Sequence, residues 1–457
     1  MTATASARPP RPVPGPAREY HFPHFERAEL PNGLRIVVAP ITRLPIATVL
    51  AVVDAGALWD EKRREGTAPL TAKLLLEGAG TLDGAELTER FERLGATIEA
   101  GADWDASVVS MTATSQHLPE AFGLFADVLR RPLFRPREVD RLKSERLSDL
   151  LQLRAEPRGL ADEAFEAAVY HPDSRYAVSL GGSEKTVEAI GPTDISALYA
   201  SRYTPYTTTL VVTGDVAMSG VIELARRHFG DWTGTAPRGA GRADRPARTT
   251  RATHLVTRPE SQQSELRLGH IGVPRTHDDY FDIVVMNAIL GGLFNSRINL
   301  NLREAHAYTY GAFTAFDWRR DAGPFVVSTA VRTDVTVEAI TEILAEVERI
   351  RVEAVPEQEL SLATSYLDGV FPIRYETTAA VAAALANQII YGLPDDYFDT
   401  YRSRIARVTA DSVLAAARKH LDPDRLQAVV VGDPSIAEKL RTLGFGDYIQ
   451  KQGAAPR

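Results

Sequence analysis

Two stretches of this chain, far apart in sequence, are spelled almost alike: Thr209-Leu-Val-Val-Thr-Gly-Asp-Val216 and Gln427-Ala-Val-Val-Val-Gly-Asp-Pro434. Each is an apolar, largely β-branched run closed by Gly-Asp, the pattern of a buried strand ending in a turn. Their recurrence predicts an internal duplication, two similar domains in tandem. Length agrees, because 457 residues exceed what one compact core accommodates. Between the two copies, Thr233 to Arg248 is rich in Gly, Pro and Arg with almost nothing apolar to bury, and reads as an exposed, semi-flexible strap on which the halves hinge. The expected organisation is a disordered tail over 1–18, a first domain over 19–232, a linker over 233–250 and a second domain over 251–450.

Local patterns fill in the first domain. Gly33 to Ala39 and Ala47 to Val53 read as two strands of one sheet joined by a Pro-punctuated turn, and Ser107 to Thr114 reads as a third strand. Helical periodicity runs through Ala68 to Leu76, Gly84 to Leu94 and Pro119 to Leu129. The fold class is therefore α+β.

Composition narrows the chemistry. With 52 Lys plus Arg against 60 Asp plus Glu, a net charge of -8, the chain has no global basic field for nucleic acid or an anionic membrane. The arginines of the linker have no interleaved aromatic residues, which also argues against nucleic acid. Hydrophobic residues at 44% are enough for two cores. The absence of Cys removes disulfides, thiolate nucleophiles and Cys metal sites together and fits a reducing compartment, so a cytoplasmic location is expected. The Pro-rich start, Pro9 to Pro16, breaks any amphipathic transit helix. Of the ten histidines, His21 and His24 sit close together near the tail and the others read as scattered singly, so no metal site is expected in this chain.

Leu30-Pro-Asn-Gly-Leu-Arg-Ile-Val-Val38, Val53-Asp-Ala-Gly-Ala57 and Glu65-Gly-Thr-Ala-Pro69 resemble the N-terminal domain of pitrilysin/insulinase-type peptidases, the group that includes mitochondrial processing peptidase. Tyr203-Thr-Pro-Tyr206, Asp279-Tyr-Phe281, Leu290-Gly-Gly292 and Leu302-Arg-Glu304 extend the likeness over nearly the whole chain. The resemblance implies two homologous domains, each a mixed, mostly antiparallel sheet packed against helices, closing as a clamshell on a partner subunit.

In active members of that family a His-x-x-Glu-His helix follows the Gly-x-Ala triplet. Two histidines four apart share a helical face and hold zinc, and the Glu serves as general base. Here Pro69 and Lys73 stand at the histidine positions and Ala72 at the base, while Leu74 to Thr81 keeps the register. Glu77 matches a different position and reads as a helix-end charge. Asp149 falls where the family's third ligand lies, and a Lys73 to Asp149 ion pair is expected to fill the vacated site.

The second half keeps more of the pattern. Leu290 to Tyr310 resembles the block in which an Arg and a Tyr seven positions later reach the substrate, here Arg303 and Tyr310. Both can donate to a peptide carbonyl as it becomes an oxyanion; the alternative is that Arg303 pairs with Glu304 and Tyr310 packs in a strand. Gly291 and Gly292 read as a tight turn admitting substrate or partner backbone. The resemblance implies a subunit inert alone that binds peptide for a zinc-bearing homologue, with a scaffold like the bc1 core subunits or a self-sufficient zinc peptidase as alternatives.

Overall fold

The computed structural model describes residues 19–236 and 243–453. The expected tail over 1–18 lies outside the described residues, as does 237–242 of the linker. The described chain forms two six-stranded sheets. The first holds β1 (Glu26–Glu29), β2 (Arg35–Pro40), β3 (Ile46–Val53), β6 (Thr97–Ala102), β7 (Ser107–Thr114) and β8 (Thr208–Gly214), ordered β1-β2-β8-β3-β7-β6. A two-residue hairpin, β4 (Gly78–Ala79) with β5 (Leu82–Asp83), stands beside it. The second holds β9 (Ala252–Thr257), β10 (Gln263–Ile271), β11 (Ala312–Phe316), β12 (Pro324–Arg332), β13 (Gln427–Gly432) and β14 (Asp447–Gln452), ordered β11-β12-β10-β13-β9-β14.

The two repeated stretches take the same place in their sheets. β8 runs parallel to β2 and antiparallel to β3; β13 runs parallel to β9 and antiparallel to β10. Both strands are buried throughout. Such strands, covered on both faces, are spelled as continuous apolar or β-branched runs, which is why the duplication shows in the sequence. Five strands of each sheet correspond, and the outermost do not: β1 is antiparallel to β2, whereas β14 is parallel to β9. β2 and β3 share a sheet as expected, but β8 lies between them, so the Pro-punctuated turn does not join neighbours.

The halves do not hang from a strap. The helix Pro157–Val169 of the first half packs on β13 and β10 of the second sheet, and the helix Thr378–Tyr391 of the second half packs on β3 and β8 of the first. Thr213 Oγ1 donates to the Thr378 carbonyl at 2.8 Å, and the Thr48 and Thr378 hydroxyls meet at 3.0 Å. One hydrophobic cluster runs through Leu50 and Val211 of the first half and Leu268, Val381 and Leu385 of the second. Residues 19–25, assigned to the first domain, also dock on the second half, where the Phe22 ring stacks on Phe398 at 4.0 Å. Of the described linker residues, 233–236 are exposed as expected, but Ala243 is buried, its N–H donates to Asp321 at 2.7 Å and its carbonyl accepts from Ser174. Backbone polar groups of a buried segment need such partners, and these tie it down.

The segment Tyr280–Ala305 is long and apolar enough to cross a membrane by composition, yet 61% of its most apolar window is buried inside the protein, the position of a core segment. It includes two π-helical stretches, Ala288–Gly292 and Leu300–Ala305. Gly291 is not an open turn: a side chain there would meet Thr314 of β11 at 2.5 Å, so the glycine admits this chain's own strand.

Candidate functional site

The helix Thr67–Leu74 carries Pro69, Ala72 and Lys73, the residues that the resemblance sets at the zinc-motif positions. Gly66 opens it with φ +104°, a left-handed conformation. Asp60 then caps it from a distance, accepting from Gly66 N–H at 2.8 Å and Ala68 N–H at 2.7 Å. Burial pushes the Asp60 carboxyl up, opposed by Arg175, whose guanidinium lies 2.9 Å away, and by those two N–H groups. Pro69 is tolerated because the first turn has no intrahelical acceptor for the N–H it lacks. Ala72 is buried, and Lys73 is half exposed with Nζ 3.8 Å from Glu145.

The expected Lys73 to Asp149 pair is not formed. Asp149 is exposed on the helix Pro136–Ala155, while Glu145, one turn earlier, faces Lys73. A cavity of about 400 Å³ lies against the motif helix, and from Pro136–Ala155 it is lined by Arg146 and Leu153, not by Asp149. Proline and alanine supply no ligand atom and lysine supplies an ammonium, so these side chains do not fit a zinc ion. The cavity's far wall is Asp162, Glu163 and Glu166 of Pro157–Val169. Each faces an arginine: Asp162 with Arg267 at 2.6 Å, Glu163 with Arg154 at 2.9 Å and Glu166 with Arg319 at 4.0 Å. Burial holds the Glu166 carboxyl up at about 7, with Arg319 and Arg175 acting against it. Glu77 pairs with Arg141 at 2.5 Å.

In the second half, Arg303 sits in the π-helical stretch Leu300–Ala305. Its Nε lies 3.6 Å from Glu304 and its guanidinium 4.6 Å above the Phe294 ring. Tyr310 lies outside any strand, just before β11, and is 94% exposed. It forms one wall of a cavity of about 180 Å³ that also includes Arg158 and Arg267. No hydrogen bond or ring contact joins Arg303 to Tyr310 among the described residues. Since Arg267 pairs with Asp162, the Tyr310 cavity and the motif cavity lie on either side of one ion pair.

Not all the other histidines are scattered. His277, Asp279 and His420 present ligand atoms within 4.8 Å of one another. Asp279 Oδ2 is nonetheless held by His420 Nε2 at 2.6 Å and by the Lys419 ammonium at 2.7 Å. Those two donors hold its carboxyl near 2. A cation on the same oxygen opposes a second one, so the trio is a latch between the helices Tyr280–Asn287 and Ala410–His420. Sequence spacing gave no sign of it, because the two segments lie more than a hundred residues apart.

The chain has relatives among known proteins. The model of insulinase (peptidase family M16) matches residues 35–177, and the peptidase M16 inactive domain matches residues 189–367. The chain belongs to peptidase family M16. An uncharacterized zinc protease of Mycobacterium tuberculosis is 25% identical over 430 residues, spanning 91% of this chain and 96% of the relative. The mitochondrial-processing peptidase subunit beta of Rattus norvegicus is 24% identical over 294 residues, 64% of this chain and 60% of the relative. Among solved structures, a peptidase M16 inactive domain from Pseudomonas fluorescens superposes with a TM-score of 0.84 at 24% identity, covering 90% of this chain and 98% of the other. A protease from Helicobacter pylori gives 0.83 at 18%, covering 90% and 99%. These neighbours share the two-domain α+β fold.

Proposed function

We propose that this chain is the subunit of a heteromeric M16 peptidase that binds peptide without carrying the metal, and that it works in the cytoplasm beside a zinc-bearing homologue. The single observation that carries the reading is an asymmetry between the halves. The motif helix offers Pro69, Ala72 and Lys73, which bring no metal ligand and no general base, whereas Tyr310 stands 94% exposed with its phenol free to meet another molecule. A solvent-facing phenol donates a hydrogen bond to a peptide carbonyl oxygen as negative charge develops on it, and Arg303 supports the same charge electrostatically. Neither group activates water, so hydrolysis requires a second subunit.

A scaffold role, like that of a bc1 core subunit, is favoured by one feature: Arg303 already has Glu304 and Phe294 as neighbours. Reconstitution separates the two. The chain is mixed with a zinc-bearing M16 homologue and peptide turnover is followed. The proposed role predicts turnover that neither subunit shows alone and that falls on Tyr310→Phe with the complex intact. Full turnover by the partner alone, or an indifferent Tyr310→Phe, leaves the scaffold.

A further inference from the structure

The cavity against the motif helix carries an unbalanced charge. Its three carboxylates each face an arginine, as described above, and Glu166 is partly protonated near neutrality. Its two cations are held far less. Lys73 has Glu145 at 3.8 Å, with both side chains half exposed. Arg146 donates from Nε to the Gly181 carbonyl at 3.0 Å, but among the described residues its terminal nitrogens reach no protein acceptor and no carboxylate oxygen comes within 4 Å. Asp149 attracts it only from beyond that distance. A partly desolvated guanidinium left without an anion is costly unless something else supplies one.

The position of Arg146 is built. A side chain at Gly181 would lie 2.5 Å from the Arg146 Cζ and 2.7 Å from its Nε, so glycine is what lets the guanidinium lie against that loop. The loop is in turn pressed on the start of the motif helix, where a side chain at Gly66 would meet the Gly181 carbonyl at 2.8 Å. Pro69, Leu70 and Leu153 give the same cavity an apolar wall. Two cations beside an aliphatic surface suit a carboxylate on a hydrocarbon stem; free phosphate would have no use for the apolar side.

We infer that Lys73 and Arg146 form a carboxylate subsite in the cavity against the motif helix, and that it takes the C-terminal carboxylate or an acidic side chain of a bound peptide. This rests on the reading that the chain binds peptide.

The test is fluorescence anisotropy with the purified chain and a labelled peptide in four versions: free or amidated C-terminus, and Glu or Gln within the sequence. Loss of the relevant carboxylate is expected to weaken binding about tenfold or more, the effect of a charge-assisted hydrogen bond. The amidated and the Gln versions show which carboxylate is read. In Lys73→Met/Arg146→Met the preference disappears. Gly181→Ala gives the same loss with an unchanged melting temperature, because its clash falls on the flexible end of Arg146. Equal binding of all four versions by the unaltered chain overturns the subsite and leaves peptide binding standing. A carboxylate preference that survives in both variants also overturns it, and binding of no version removes the peptide reading as well.

Discussion

The Lys73 ammonium stands 3.8 Å from the Glu145 carboxylate, across the gap between the motif helix and the helix Pro136–Ala155. Both side chains are about half exposed, 51% and 49%, and water screens them. The pair is therefore a poor staple. Lys73→Met is expected to change stability by less than about 1 kcal/mol, as measured by urea denaturation. A loss of several kcal/mol would show that the ammonium replaces the metal as a structural element.

Tyr310 contributes nothing comparable to the core. Tyr310→Phe should leave the melting temperature unchanged, since the side chain is 94% exposed. In the assembled enzyme the same change should lower kcat by about 10²-fold, the cost of one oxyanion donor, and Arg303→Ala should lower it too. Assembly, followed by size-exclusion chromatography, should persist in both.

The seam between the halves is titratable. Asp105, in the turn between β6 and β7, is 2% exposed, accepts from the Arg320 N–H at 3.0 Å, and leaves Oδ1 without a partner. Burial holds its carboxyl up at about 6 against an ordinary 3.8, with Arg320 opposing. The folded state thus binds this proton more tightly than the unfolded one. Its contribution is greatest below about pH 4 and declines as pH rises towards 6. Between pH 4 and pH 7 the stability of Asp105→Asn relative to the parent should therefore rise by up to about 3 kcal/mol in favour of the variant. A pH-independent difference in denaturation midpoint would refute the assignment.

Exchange of helices between the halves should make them one cooperative unit. Calorimetry is expected to show a single transition, not two. Gly269 of β10 is a sensitive point, because a side chain there would strike the Phe325 carbonyl and lie 2.8 Å from the ring of Phe165, which arrives from the other half. Gly269→Ala should cost about 3 kcal/mol and lower that single transition as a whole. Two separate melts in the parent would mean that the halves are independent.

What the sequence revealed was local. Ser107–Thr114 was bounded correctly as a strand because apolar and polar residues alternate from Val109 to Thr114, and the matching β8 and β13 were legible because both faces of each are buried. Pro69, Ala72 and Lys73 were matched to the zinc-motif positions by the resemblance, through Gly66-Thr-Ala68 before them and Leu74 to Thr81 after them, and not by spacing alone. Arg146 was not legible, since its importance depends on Gly181, a loop residue 35 positions later. Nor was the packing of Pro157–Val169 on the opposite sheet, where an amphipathic face states that it is covered but not by which sheet. The burial of Ala243 within the linker escaped for a related reason: it is held by its backbone, through Asp321 and Ser174, and composition does not report backbone hydrogen bonds.

The most direct test is peptide hydrolysis by the pure chain, with zinc supplied and no other subunit present. No turnover is expected at any zinc concentration. Turnover that a chelator abolishes and zinc restores would contradict it, because it would place water activation within a chain whose motif helix offers only proline, alanine and lysine for the task.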